Sequence, residues 1–182
     1  MLSFLLIALT TLPWRTLDGR WTKPPLAQVS VCDALRVPSS WDVRSRAYAD
    51  VTGDGRAECV LIVWRPWRDW RTSRWTTRPS PIGAYRDARG DSAHVAVLTP
   101  LAHGRYVERW VGSAMAQPAL AAVVFGAERL AVLEGSYRAG RTGTGAAVSV
   151  WKWTGFGFRL ETRVKVRAAR ALGVRHGHVL LR

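Results

Sequence analysis

Between Asp50 and Glu58 the chain offers an oxygen ligand at every second residue: Asp50, Thr52, Asp54, the main-chain carbonyl of Arg56, and Glu58. Gly55 follows the central aspartate. Calcium takes about six to eight such oxygens, and a glycine at the sixth loop position permits the sharp turn around the ion. The spacing therefore predicts a calcium site with Asp50, Thr52, Asp54, Arg56 and Glu58 as ligands. A second reading needs no ion: the same side chains can hold the loop as a turn by accepting its own backbone N–H groups.

Elements on either side must position this loop. Cys59-Val60-Leu61-Ile62-Val63-Trp64 is an apolar, β-branched run of the kind that forms a buried strand, and Arg46-Ala47-Tyr48-Ala49 is a shorter strand candidate before the loop. Ala49-Asp50-Val51-Thr52-Gly53-Asp54-Gly55-Arg56-Ala57-Glu58 with its apolar strand resembles the FG-GAP/VCBS repeat, the extracellular propeller-blade module also found in integrin α-chains. That family usually carries Asp or Asn at the place of Thr52, and often Asp at that of Glu58. The resemblance implies an extracellular binding or scaffold module without enzymatic activity.

Short apolar runs separated by Gly, Pro and Asp-Gly breaks continue along the chain and predict an all-β fold. Two groups of four strands share one order of features. The first is 46–51, 58–65, 93–99 and 106–111; the second is 120–125, 129–134, 147–154 and 158–165. Units of about 46–111 and 118–165, with partial units at both ends, predict antiparallel four-stranded propeller-like blades in an open or atypical propeller. A β-sandwich built from the same hairpins is the alternative. Strands around Arg20-Trp21-Thr22 and Ala27–Cys32 are expected to complete the C-terminal unit. Pairing with another copy would be a second way to cover open sheet edges.

Three further segments carry residues suited to binding. Trp64, Arg65, Trp67, Arg68, Trp70 and Arg71 alternate indoles with guanidinium groups, a pattern that predicts a ladder able to stack on an anionic glycan or single-stranded nucleic acid. Trp151-Lys152-Trp153-Thr154-Gly155-Phe156-Gly157-Phe158 reads either as a sugar-stacking platform or as a packed face between blades. Arg89-Gly90-Asp91-Ser92 is an integrin-ligand tetrapeptide, with Asp91 expected to cap a turn. The histidines are His94, His103, His176 and His178; His176 and His178 share a strand face without an acidic neighbour, and no nucleophile elbow, zinc-protease or P-loop pattern occurs.

The 182 residues carry a net charge of +14, nearly all of it arginine; lysine occurs only at Lys23, Lys152 and Lys165. Such a surface attracts anionic polymers or lipid, although a GC-rich genome produces the same bias. No contiguous basic block points to nucleic acid. Met1–Leu12 is apolar and uncharged, and residues 1–17 read as a secretory leader preceding one domain over 18–182. Export would allow Cys32 and Cys59 to form a disulfide; buried free thiols are the alternative. These features together predict a secreted or cell-envelope, non-enzymatic binding or scaffold module with a calcium loop, whose partner is a protein or an anionic glycan. The alternatives are a Trp/Arg-based binder of anionic polysaccharide or nucleic acid, and a carbohydrate-active enzyme on the same scaffold.

Overall fold

A computed structural model of the chain describes residues 13–25, 31–67 and 81–182. The strands are β1 (Trp14–Thr16), β2 (Trp21–Thr22), β3 (Asp42–Ala49), β4 (Glu58–Pro66), β5 (Asp91–Pro100), β6 (Tyr106–Val111), β7 (Ala119–Phe125), β8 (Arg129–Glu134), β9 (Gly145–Trp153), β10 (Phe158–Ala169), β11 (Leu172–Arg175) and β12 (His178–Leu181). They form three four-stranded antiparallel sheets in the orders β3-β4-β5-β6, β7-β8-β9-β10 and β11-β12-β1-β2. The fold is thus all-β, and the first two sheets are the two groups of strands expected from the sequence. They share a further detail: the pairing of first and second strands slips by one residue near its start, between Val43 and Ser45 in one sheet and between Ala119 and Ala121 in the other. The three sheets are open, whereas a closed propeller takes about four to eight blades.

Alternation along each central strand explains the layering. In β4, Val60, Ile62 and Trp64 face one way and meet Val95 and Val97 of β5, Ala119 and Ala122 of β7, and Leu130 and Val132 of β8. Cys59, Leu61 and Val63 face the other way and pack on Cys32 and Leu35. A strand buried on both faces reads as an unbroken apolar run, as β4 does. The second sheet is double-faced too, for Ala131, Leu133 and Val148 meet Val179 and Leu181 of the third. Two polar contacts fix the first sheet against the second. Ser45 Oγ donates to the Ala122 carbonyl and accepts from the Ala122 N–H, both at 3.1 Å, and the Trp64 indole N–H donates to the Ala119 carbonyl at 2.9 Å.

One expectation is corrected. Val31–Ala34 is a 3-10 turn and not the end of a strand; residues 26–30 lie outside the described residues. As expected for the strand around Trp21, the partial units at the two ends join in one sheet, in which Arg15 pairs with both Leu181 and Trp21. Trp14–Thr16 therefore belongs to the folded domain, and a leader reaching residue 17 would remove a strand from that sheet; residues 1–12 lie outside the described residues. Cys32 and Cys59 form a disulfide, with Cα atoms 5.5 Å apart. No helix among the described residues is long and apolar enough to cross a membrane.

Candidate functional site

The acidic loop links β3 to β4. Gly53 and Gly55 take the left-handed conformation (φ +75° and +83°), which side chains disfavour, so the loop can double back on itself. The turn brings carboxylate oxygens of Asp50, Asp54 and Glu58 within 4.8 Å of one another. Glu58 is fully buried; its Oε2 accepts from the N–H groups of Val51 (3.1 Å) and Thr52 (3.4 Å), and its Oε1 from the Thr52 hydroxyl (3.0 Å). Asp50 accepts from Gly53 N–H at 2.7 Å and Gly55 N–H at 2.9 Å, and Asp54 from Arg56 N–H at 3.0 Å. Arg109 lies 3.5 Å from the other Asp54 oxygen.

Both readings of the loop coexist in this geometry. The hydrogen bonds are those of a self-held turn. Yet each ionised carboxylate has about four lone-pair sites, so a cation can share oxygens that already accept from the backbone. The Thr52 hydroxyl, spending its proton on Glu58, keeps its lone pairs for an ion. Three like charges this close repel one another, and a divalent cation offsets that repulsion more fully than neutral N–H donors. The donor set, carboxylates and hydroxyl with no nitrogen or sulfur, suits a hard ion.

Of the Trp/Arg segment, Trp64, Arg65 and Trp67 lie among the described residues. Trp64 is fully buried under the Arg141 guanidinium, 5.3 Å from the ring centroid, and so is unavailable for stacking on a ligand. Arg65 lies over Trp41 at 5.6 Å, on the first sheet, and Arg86 over Trp67 at 5.1 Å. Arg68, Trp70 and Arg71 lie outside the described residues.

Arg141 comes from the 135–144 connection of the second sheet and reaches into the first. It bonds Asp42 at 2.7 Å, Asp87 at 3.3 Å, and Asp91. Tyr137, from the same connection, donates to the Met115 carbonyl at 2.7 Å and accepts from Ala93 N–H at 3.3 Å; burial pushes its hydroxyl up to about 12. Asp91 is thereby tied to Arg141, which removes the Arg89-Gly90-Asp91 tripeptide as a free recognition element. The turn there is capped by Asp87, which accepts from the N–H groups of Arg89 and Asp91, and not by Asp91 as expected.

One pair escaped the sequence. Ser92 Oγ and His94 Nε2 are 2.7 Å apart, and His94 Nδ1 is 2.8 Å from the Gly112 carbonyl. The carbonyl can only accept, so Nδ1 carries the proton and Nε2 accepts from the serine, the arrangement of a nucleophile and its base. Ser92 is fully buried and His94 nearly so, without a carboxylate on Nδ1; burial pulls the imidazole down to about 4. A neutral, sealed pair has no route to substrate. The i, i+2 spacing on one strand face was its only signal, and that spacing is common.

A cleft of about 450 Å³ lies between β6 with the 112–117 link on one side and β8, β9 and β10 on the other. Leu130 and Val132 form its floor, Trp110, Trp151 and Phe158 line it, and Glu134 and Arg163 supply its charge. The aromatic hairpin is split by this geometry. Trp153 packs edge-on against Trp110 and Phe158, with centroids 6.0 and 5.2 Å away, as an inter-sheet wall, while Phe156 at the turn is 88% exposed. Comparison with protein-family models finds no match, and comparison with curated proteins finds none either.

Proposed function

We propose that the chain is a non-enzymatic FG-GAP/VCBS-type binding or scaffold module working outside the cytoplasm, with calcium held by Asp50, Thr52, Asp54, Arg56 and Glu58. The carrying observation is the convergence of three carboxylates on one loop at the head of β4, the strand that also holds the disulfide. The ion would neutralise that loop and stiffen the link between β3 and β4. Export is supported by the disulfide, since such bonds persist in oxidising compartments. The sealed Ser92–His94 pair and the open binding cleft favour binding over catalysis.

With Thr52 as a neutral ligand, affinity should fall in the weak extracellular range, a dissociation constant of roughly 10⁻⁴–10⁻³ M. At about 10 mM calcium even the weaker value stabilises the fold by about 1.4 kcal/mol, or roughly 3–6 °C in melting temperature. Titration calorimetry and thermal melts with calcium, against magnesium and EDTA, test this. Absence of both heat and shift would leave the loop as a hydrogen-bonded turn and remove calcium from the reading.

A further inference from the structure

We propose that the cleft between the first two sheets binds a neutral pyranose, an uncharged sugar ring that is free or part of a glycan. This deepens the binding-module reading and rests on it. The volume of about 450 Å³ suits one or two sugar rings, within the roughly 300–1,000 Å³ of small-molecule sites. The chemistry of its lining then narrows the ligand class.

Most of the lining is apolar and partly aromatic. Trp151 and Phe158 are only half-buried and Leu160 is 46% exposed, so apolar surface remains for a ligand. The Trp151 indole N–H is already spent on the Ser149 hydroxyl at 2.7 Å, which leaves the ring to act through its apolar surface. A planar apolar partner of this kind suits the C–H face of a pyranose.

At the charged end, Glu134 is buried and Arg163 is half-exposed. Arg163 reaches from β10 across β9, where Ala147 and Ser149 are small enough to let it pass, and its Nε donates to Glu134 Oε2. A carboxylate acceptor thus sits beside a guanidinium donor, and the pair is neutral as a whole. A free anion would meet Glu134 and a free cation would meet Arg163. A wholly aliphatic ligand would strip water from both without replacing its hydrogen bonds, which is costly for charged groups. A hydroxyl donates and accepts at once, and neighbouring hydroxyls can serve both members of the pair. A ring with one C–H face and a rim of hydroxyls matches both halves of the cleft.

Saturation-transfer NMR and tryptophan fluorescence on the calcium-loaded protein test the assignment. The probes are methyl glycosides of glucose, galactose, mannose and N-acetylglucosamine, together with their β-linked disaccharides. The expected result is saturation of ring C–H protons by at least one glycoside at millimolar concentration, with tighter binding of its disaccharide if the natural source is a glycan. Trp151→Ala and Glu134→Gln should each weaken binding about tenfold or more. Ala116→Trp, at an exposed position on the cleft lining, should block binding with little change in melting temperature, which separates occlusion from misfolding. No transfer from any glycoside, or undiminished binding by Ala116→Trp, overturns the proposal; so does binding confined to sulfated or uronic sugars. Those outcomes leave calcium affinity untouched. Turnover of a bound glycoside would instead overturn the non-enzymatic reading and keep the cleft.

Discussion

The first two sheets join their first and second strands in different ways. In the first sheet the link runs through residues 50–57 and is held by side chains: Asp50, Asp54 and Glu58 accept from the loop's own N–H groups. In the second, residues 126–128 suffice, with Gly126 and Glu128 both at positive φ. The short turn is held by its backbone, with the Glu128 carbonyl accepting from Trp153 N–H at 2.8 Å. The long one depends on charge, so ions, protons and single substitutions can all reach it. The two also meet: a Cβ on Gly53 would come within 2.4 Å of Glu128 Oε1, so this glycine admits the neighbouring turn's carboxylate as well as its own backbone conformation. The disulfide and the buried histidine fall in the first sheet too. Chemical sensitivity should therefore concentrate there, and the second sheet should act as the inert frame.

Breaking the disulfide should have the largest effect. Cys32 and Cys59 are 27 residues apart, so replacing both with Ala should cost about 3 kcal/mol through the freedom regained by the unfolded chain. Chemical denaturation measures the loss. Hydrogen exchange should rise in 42–66 and little in 145–169; an equal rise in both would show that the sheets unfold as one body and would end the contrast between them.

Arg141→Ala should come next, at about 2 kcal/mol, discounted from the usual cost of a broken buried pair because Asp42 and Asp91 keep some solvent. Unlike the disulfide variant it should loosen both sheets, since Arg141 belongs to one and its carboxylates to the other. A melting point unchanged within about 1 °C would show that packing alone holds the sheets together.

Acid should act through His94. The unfolded side chain takes up its proton near pH 6.5 and the folded one only near pH 4. Between these values the unfolded chain binds more protons, so this contribution is complete above pH 6.5 and shrinks as pH falls towards 4. About 2 kcal/mol should be lost by pH 5. His94→Gln should flatten that part of the stability–pH curve; an unchanged slope would move its origin elsewhere.

Asp50→Ala should have the smallest effect, about 1 kcal/mol in EDTA, because its two backbone bonds lie at the surface. In calcium the gap should widen, as the variant would gain no thermal shift. Equal responses of variant and parent to calcium would separate the loop from the ion.

Much of the architecture was legible from periodicity. β4, β5 and β9 announce themselves as apolar runs because each is buried on most of its length, and the Gly-rich turn 154–157 marks its own hairpin. Asp50, Asp54 and Glu58 could be grouped because they lie on one loop. Arg141 with Asp42, Asp87 and Asp91 could not, because that cluster joins distant segments through tertiary packing. Trp64 misled for a related reason: its spacing from Trp67 suggests a shared exposed face, but a buried strand ends between them and turns it into the core. The cleft was equally hidden, since its lining joins residues of both sheets that are distant in sequence, and Arg163 meets Glu134 across an intervening strand.

The third sheet has a consequence for the order in which the molecule matures. The other two are assembled from consecutive hairpins and can condense as soon as each has been synthesised. This one waits, because Arg15 and Thr16 find their partners only when Leu180 and Leu181 arrive. Such a long closure is entropically late. Until the β11–β12 hairpin at the end of the chain docks, the face of Ala131, Leu133 and Val148 stays uncovered. Emerging from a ribosome or a translocation channel, the chain would pass through an interval with one apolar flank bare, and a chaperone or protease would have that interval in which to act. Docking of β11 and β12 would be the step that ends it, and the zip of β1 onto β12 would complete the sheet.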